Sequence, residues 1–343
     1  MTRGQTLMRM LPIYGLPLLT LLLIGFFSWL LPESFPTAIN ARSILSDKGI
    51  IALLALGAMV PMMAGRIDLT VGFGIVMWHI LAISLQVRYG LPWPVACLAV
   101  LVCSGGTGLI NGLLVEVAQI DSFIATLGTG TILYALALWH TEGRQVIGAL
   151  PPGFVAINGT MIGGVPIPAF YVVGLAAALW LAAERLPLGR HVYAIGANEK
   201  AAALNGIPVR AYVIGVFVTS GLLVGFTGCV LASKLQIGQA NVGLDYLLPA
   251  LVGVFLGSTT IRPGRVNVWG TIVGVLILAV GISGIQQLGG AFFVEPLFNG
   301  VTLIVSIALA GVAQRRRSVV HKGGSGSNVP STSNAKTAAS TVG

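Results

Sequence analysis

Residues 49–76, GIIALLALGAMVPMMAGRIDLTVGFGIV, are two apolar runs split by one charged turn, Arg66-Ile67-Asp68. The runs extend to roughly 49–65 and 71–87. Each approaches the ~20 residues a helix needs to cross about 30 Å of hydrocarbon. Charge at bilayer depth is costly, so Arg66 and Asp68 must face a cavity or lie at a boundary. Two readings of the turn stand side by side. Asp68 can cap the following helix, accepting from backbone N–H groups near Val71. Alternatively, the turn is the break of a discontinuous helix beside a solute path.

The same pattern repeats outward in both directions. Apolar segments fall at about 11–31, 49–65, 71–87, 92–118, 122–140, 168–184, 211–232, 244–258, 267–286 and 296–313. Of the 343 residues, 55% are hydrophobic and only 8% charged, against about a quarter charged in soluble domains. Mean hydropathy is +0.92. The 46 glycines suit helices that approach closely in lipid. The expectation is an all-α, polytopic membrane protein of about ten segments in a transmembrane domain over 1–317. The tail, 318–343, is rich in Ser, Gly, Thr and Ala and is expected to be disordered. Arg3 and Arg9 precede an apolar run from Leu11 to Leu31, too long for a signal peptide, which reads as an uncleaved first span.

The net charge of +9 is distributed between spans, not along one face with interleaved aromatics, which argues against nucleic acid as a partner. With ten crossings and the N-terminus inside, 14 of the 19 Lys and Arg residues fall inside and 5 outside. This bias predicts that both termini are cytoplasmic. Segments 2–5 then begin outside and segments 7–10 inside, the arrangement of an inverted repeat. Cys97, Cys103 and Cys229 read as small buried hydrophobes. No phosphate-binding loop, paired-cysteine or His-Glu-x-x-His metal spacing, or nucleophile elbow occurs, and the four histidines are scattered. The chain is therefore read as non-enzymatic, with no directly bound cofactor.

Three further stretches carry polar chemistry. Asp121-Ser122 starts a helix that presents Thr126, Thr129 and Thr131 to packing or to a polar pathway. In the 185–210 loop, Asn198 caps a short helix, Glu199 complements its dipole, and Gly206 and Pro208 stop it. A loop that merely joins two spans needs no such helix, so it reads either as a surface cap or as a docking element. The third is the polar turn Gly238-Gln239-Ala240-Asn241-Val242-Gly243, which precedes the short segment ending at Gly257-Ser258.

Together these motifs resemble the permease family of ribose-type, or monosaccharide, ABC importers. The matching runs are Gly65 to Gly72, Phe123-Ile124-Ala125-Thr126-Leu127-Gly128-Thr129, Gly189-Arg190 through Ile195-Gly196-Ala197-Asn198 to Gly206-Ile207, and the glycines 257, 264, 270 and 274. The resemblance covers about residues 49–312. It implies a permease of a bacterial inner membrane, embedded in lipid. Its expected partners are a second permease, cytoplasmic ATPase subunits that use the ATP, and a periplasmic substrate-binding protein. It further implies that Asn198, Glu199, Ala201, Ala202, Gly206 and Ile207 belong to the ATPase-coupling loop. Asp68, Thr70, Phe123, Thr126, Thr129 and Asn241 are the candidate translocation path. Two places depart from the family pattern: Arg66 replaces a glycine, and Arg262-Pro263 enters the late glycine turn. The competing expectation is an ion-coupled secondary transporter that uses Asp68 or Glu116.

Overall fold

The computed structural model describes residues 3–290, 293–305 and 307–308, with side chains from Tyr14 onward. The expected tail 318–343 lies outside these residues. Thirteen helices organise the described chain. They are α1 (Arg3–Leu30), α2 (Ala38–Met63), α3 (Thr70–Val87), α4 (Trp93–Glu116), α5 (Ser122–Thr141), α6 (Pro152–Gly159), α7 (Ile167–Glu184), α8 (Pro187–Ala197), α9 (Glu199–Leu204), α10 (Val209–Leu235), α11 (Leu247–Gly257), α12 (Val268–Gln287) and α13 (Val294–Val305). Two tiny antiparallel pairs complete it: β1 (Val146–Ile147) with β4 (Ile237–Gly238), and β2 (Met161–Ile162) with β3 (Val165–Pro166).

Seven of these helices, α2, α3, α4, α5, α7, α10 and α12, are long and apolar enough to cross a membrane. Shorter apolar helices cover Tyr14–Leu30, Leu244–Gly257 and Val294–Val305. Each of the ten apolar segments of the sequence thus holds a helix among the described residues, the tenth being described only in part, and the molecule is a polytopic helical membrane protein. One segment differs in kind. With 11 residues, α11 spans only about 16 Å at 1.5 Å per residue. The chain from Gln239 to Gly243 before it is unwound, and a single 3-10 turn (Leu244–Tyr246) leads into α11. This approach lies along α3: a Cβ on Gly238 would meet Ile80, one on Gly243 would meet Val76, and Leu247, the first residue of α11, packs over Gly72. Buried unwound backbone is tolerated at membrane depth only where protein covers it, and α3 supplies that cover.

Two helices form the centre. Between Gly49 and Met63, α2 is buried on nearly every side. It packs on α10, α11, α12 and α7, while α10 packs on α4, α3 and α2. The pairings mirror one another: α2 meets α11 and α12 as α10 meets α3 and α4. Around the centre the outer helices show apolar side chains to lipid. On α4 these are Leu98, Val102, Leu109 and Leu113, a single stripe at helical spacing. Cys103 also lies on an exposed surface and Cys97 is half-buried, so only Cys229 fits the expectation of a buried hydrophobe. The reason is rotational: Cys103 follows Val102 around the lipid-facing side of α4.

The α4–α10 seam shows why glycine is needed. A Cβ on Gly108 would sit 2.3 Å from the Phe217 carbonyl oxygen, and one on Gly221 would sit 2.3 Å from that of Ser104. Neither backbone oxygen can move without separating the helices. Lipid gives little hydrophobic incentive for helices to associate, so this close packing is what holds the seam. Gly221→Val should therefore lower the yield of monodisperse protein in detergent and its unfolding temperature, whereas Gly215→Val, which faces open space, should not. Equal behaviour of the two variants would refute the seam.

Candidate functional site: a clasped helix over two turns

After Met63 the α2 helix ends and five residues, Gly65 to Leu69, cross to α3 without helical structure. Gly65 makes the exit at φ +74°, a conformation that costs an L side chain strain. Arg66 N–H turns back to the Pro61 carbonyl (3.0 Å), and as the run sinks between the helices side chains take over as acceptors. Ile67 N–H donates to Ser122 Oγ (3.2 Å) and Leu69 N–H to Thr126 Oγ1 (3.0 Å), both on α5. Thr70 N–H donates to Asp68 Oδ1 at 3.0 Å. The expected cap is not formed: Leu69 is the N-cap of α3, which has no side-chain cap, and Asp68 lies one residue before it, accepting from Thr70 N–H and not from a group near Val71.

Asp68 is 1% exposed. Its Oδ1 also accepts the Thr70 hydroxyl and its Oδ2 accepts Ser220 Oγ of α10 at 2.8 Å. Asn111 of α4 donates to Thr70 Oγ1 (3.2 Å) and accepts from Thr129 Oγ1 (2.6 Å). One carboxylate is thereby satisfied by hydroxyl and amide donors, and the network joins α3, α4, α5 and α10. Of the six path candidates, Asp68, Thr70, Thr126 and Thr129 come together here. Phe123 does not: its side chain is 48% exposed. Asn241 lies exposed in the unwound run before α11. Neither Ser220 nor Asn111 was singled out from sequence. A polar residue inside an apolar run was the signal that could have found them.

At the same end of the bundle sit α8 and α9. They are two helices where the sequence suggested one, hinged at Asn198, whose backbone is extended (φ −162°, ψ 98°). Asn198 Oδ1 accepts from Ala201 N–H at 3.0 Å, capping α9. Gly206 closes α9 at φ +78°, with its own N–H on the Ala203 carbonyl and Ile207 N–H on that of Ala202. Beneath α9, Ala202 and Ile207 pack with Val115, Ala125, Ile195, Val213 and Phe217. Above it Asn198, Glu199, Ala201 and Gly206 are exposed, and Leu204 is 89% exposed. An almost bare leucine among alanines gives the tip an apolar face.

This element is fastened on two flanks. Gly196 rests on the end of α2 so closely that a Cβ there would lie 2.3 Å from the Met63 carbonyl oxygen. Arg66 then pairs with Glu116 at the end of α4 (3.0 Å) and with Glu199 at the start of α9 (2.9 Å). Glu199 is half-exposed, so its pair contributes about 0–1 kcal/mol. The Glu116 side chain is 4% exposed, and that pair is the anchor. On the other flank, Tyr193 of α8 donates to the Val266 carbonyl in the α11–α12 turn (2.9 Å). The Arg265 guanidinium lies 3.3 Å from the centre of the Tyr193 ring. Burial pushes the Tyr193 phenol up, against the opposing pull of Arg265, so its O–H remains a donor at neutral pH. Arg262 pairs with Glu184 at the end of α7, and Arg265 lies 3.9 Å from the same carboxylate. Both arginines that depart from the expected glycine-rich pattern, Arg66 and Arg262, therefore have carboxylate partners at this end. No group of three or more potential ligands that could hold a metal ion occurs among the described residues.

Comparison with known proteins gives these features a family. The profile described as "Branched-chain amino acid transport system / permease component" matches residues 40–310. The ribose import permease protein RbsC of Bacillus subtilis (strain 168) is 32% identical over 85% of this chain and 91% of its own length. The D-allose transport system permease protein AlsC of Escherichia coli (strain K12) is 27% identical over 86% and 90%. The autoinducer 2 import system permease protein LsrD of Escherichia coli (strain SMS-3-5 / SECEC) is 27% identical over 80% and 84%. No solved structure matches. The chain belongs to the branched-chain amino acid transport system / permease component family.

Removing Arg66 strands the Glu116 carboxylate. Breaking a fully buried pair costs about 3–5 kcal/mol, and the quarter exposure of Arg66 moves the expected cost to the low end or below it. Arg66→Ala should lower the unfolding midpoint of the purified protein, and adding Glu116→Gln should recover most of the loss. A double variant no better than the single would show that Glu116 does not depend on Arg66.

Proposed function

We propose that this family member is the membrane-spanning permease subunit of an ATP-driven importer that carries a monosaccharide or a related small polar solute across a bacterial inner membrane. The observation that carries the reading is the α8–α9 element. Its outer helix α9 is capped by Asn198 and stopped by Gly206, and the element is fastened to the α2–α3 and α11–α12 turns and tipped by an exposed leucine at 89%. Such an element has the features of a lever. A cytoplasmic ATPase subunit seated on Leu204 would move both turns together, and with them α2, α3, α11 and α12. The substrate class rests on relatives named for ribose, allose and autoinducer 2. In this reading the chain itself performs no covalent chemistry, binds no cofactor and leaves ATP hydrolysis to its partner. A second permease and a periplasmic binding protein complete the machine.

Orientation follows from charge. Arg66, Arg185, Arg190, Lys200, Arg210, Arg262 and Arg265 all belong to the α8–α9 end, and the positive-inside rule favours putting that end, with both termini, in the cytoplasm. ATP binding would then act by favouring one arrangement of the helices over the other. Asp68, Thr70, Thr126 and Thr129 enter as the brace that makes the turn move as one piece. The ion-coupled alternative loses ground because Glu116 is committed to Arg66 and Asp68 to three hydrogen-bond donors.

Leu204→Asp puts a charge on the docking tip without touching the packing beneath. Gly206→Pro forces φ from +78° to about −65° and deforms the loop. Both should insert normally, yet lose capture of the ATPase subunits and uptake of labelled ribose or allose by at least tenfold. Undiminished capture and uptake in both variants would reject the docking assignment.

A further inference from the structure

The end of the bundle away from α8 and α9 holds a cavity of about 680 Å³, within the range of about 300–1,000 Å³ typical of small-molecule sites. It lies between α2, the end of α10, the unwound run before α11, and α13. Its charged lining is mostly paired. Lys48 meets Glu295 Oε1 at 2.9 Å and Lys234 meets Asp47 Oδ1 at 2.6 Å. The remaining oxygens of those carboxylates accept from Gln286 (3.2 Å) and Ser43 (3.1 Å). Four side chains are thereby pinned in place.

Two acceptors in the same wall are not paired. Asn299 is 4% exposed, yet its Oδ1 has no donor among the described residues. The carboxylate of Asp245 makes no hydrogen bond or ion pair among the described residues. A buried amide oxygen left without a donor costs about 1–3 kcal/mol, and native structures leave few such groups without a reason. A ligand that brings hydroxyl donors would remove that cost. Lys48 and Lys234 are held by Glu295 and Asp47, so no free positive charge is left for an anion, and the acceptors left over call for donors from the ligand. A neutral solute rich in hydroxyl groups fits both constraints, and the half-buried ring of Tyr246 offers an apolar face for its C–H groups.

We propose that this cavity is a subsite for a neutral polyhydroxylated solute on the permease itself, with Asn299 and Asp245 as its hydrogen-bond acceptors. The proposal rests on the importer reading for its substrate class. Saturation-transfer NMR on the full chain in nanodiscs, with D-ribose and D-allose as probes, tests it. Wild type should bind a probe. Asn299→Leu, of similar volume, should weaken binding at least tenfold, and Asn299→Asp, which keeps an acceptor, should retain it. Asp245→Ala, at an exposed position, gives a second reading should Asn299→Leu fail to fold. No binding by wild type, equal binding by Asn299→Leu and Asp245→Ala, or displacement by K⁺ alone would overturn the subsite. Uptake by the assembled importer separates the two ideas. Uptake with no binding by the permease rejects the subsite and keeps the importer, and sugar binding without uptake does the reverse.

Discussion

The unwound run Gly65 to Leu69 starts at an exposed glycine and ends with Asp68 and Leu69 buried between packed helices, where water cannot serve their backbone. Every N–H there needs a partner from the protein. That requirement fixes much around it. It places Ser122 and Thr126 on the facing side of α5, and a carboxylate, Asp68, where Thr70 N–H emerges. The carboxylate in turn requires Ser220 on α10, and Thr70 draws in Asn111 on α4. A buried polar network of this kind is rigid when complete and costly when one member is missing. The break in the helix is therefore a stiff joint, not a loose one.

Stiffness matters because α8 rests on it. Gly196 lies directly on the end of α2, and Arg66 ties Glu116 of α4 to Glu199 of α9. At its other flank α8 reaches the α11–α12 turn through Tyr193 and Arg265. The two turns lie far apart in sequence, and one short element touches both. Force applied at Leu204 would reach the centre of the bundle through contacts that are either backbone-tight or charge-paired. The apolar packing of Ala202 and Ile207 against five neighbouring side chains keeps α9 seated on the bundle.

The ten apolar segments could be read because hydrophobic length is imposed by the bilayer and is local in sequence. The capped, glycine-stopped helix after Asn198 was legible for the same reason: caps act over three or four residues. What could not be read was long-range. Nothing near Arg66 in sequence announces Glu116 or Glu199, and nothing near Asp68 announces Ser220, 152 positions away. The shortness of α11 was likewise hidden, since its unwound approach is stabilised by α3 and not by its own residues. Arg66 and Arg262 looked like departures from a family pattern, and only their carboxylate partners give them a place.

Rigid seating of the lever on the broken helix is best measured as a distance. Spin labels at Ala203 on α9 and Ile124 on α5, both exposed, can be followed by pulsed electron resonance in the assembled importer. A joint that moves as one piece predicts the same distance without nucleotide and with ATP trapped, while the labels of the two permease subunits move relative to each other. A shift of several ångströms within one permease on ATP binding would mean that α9 slides over the joint, and would contradict the coupling described above.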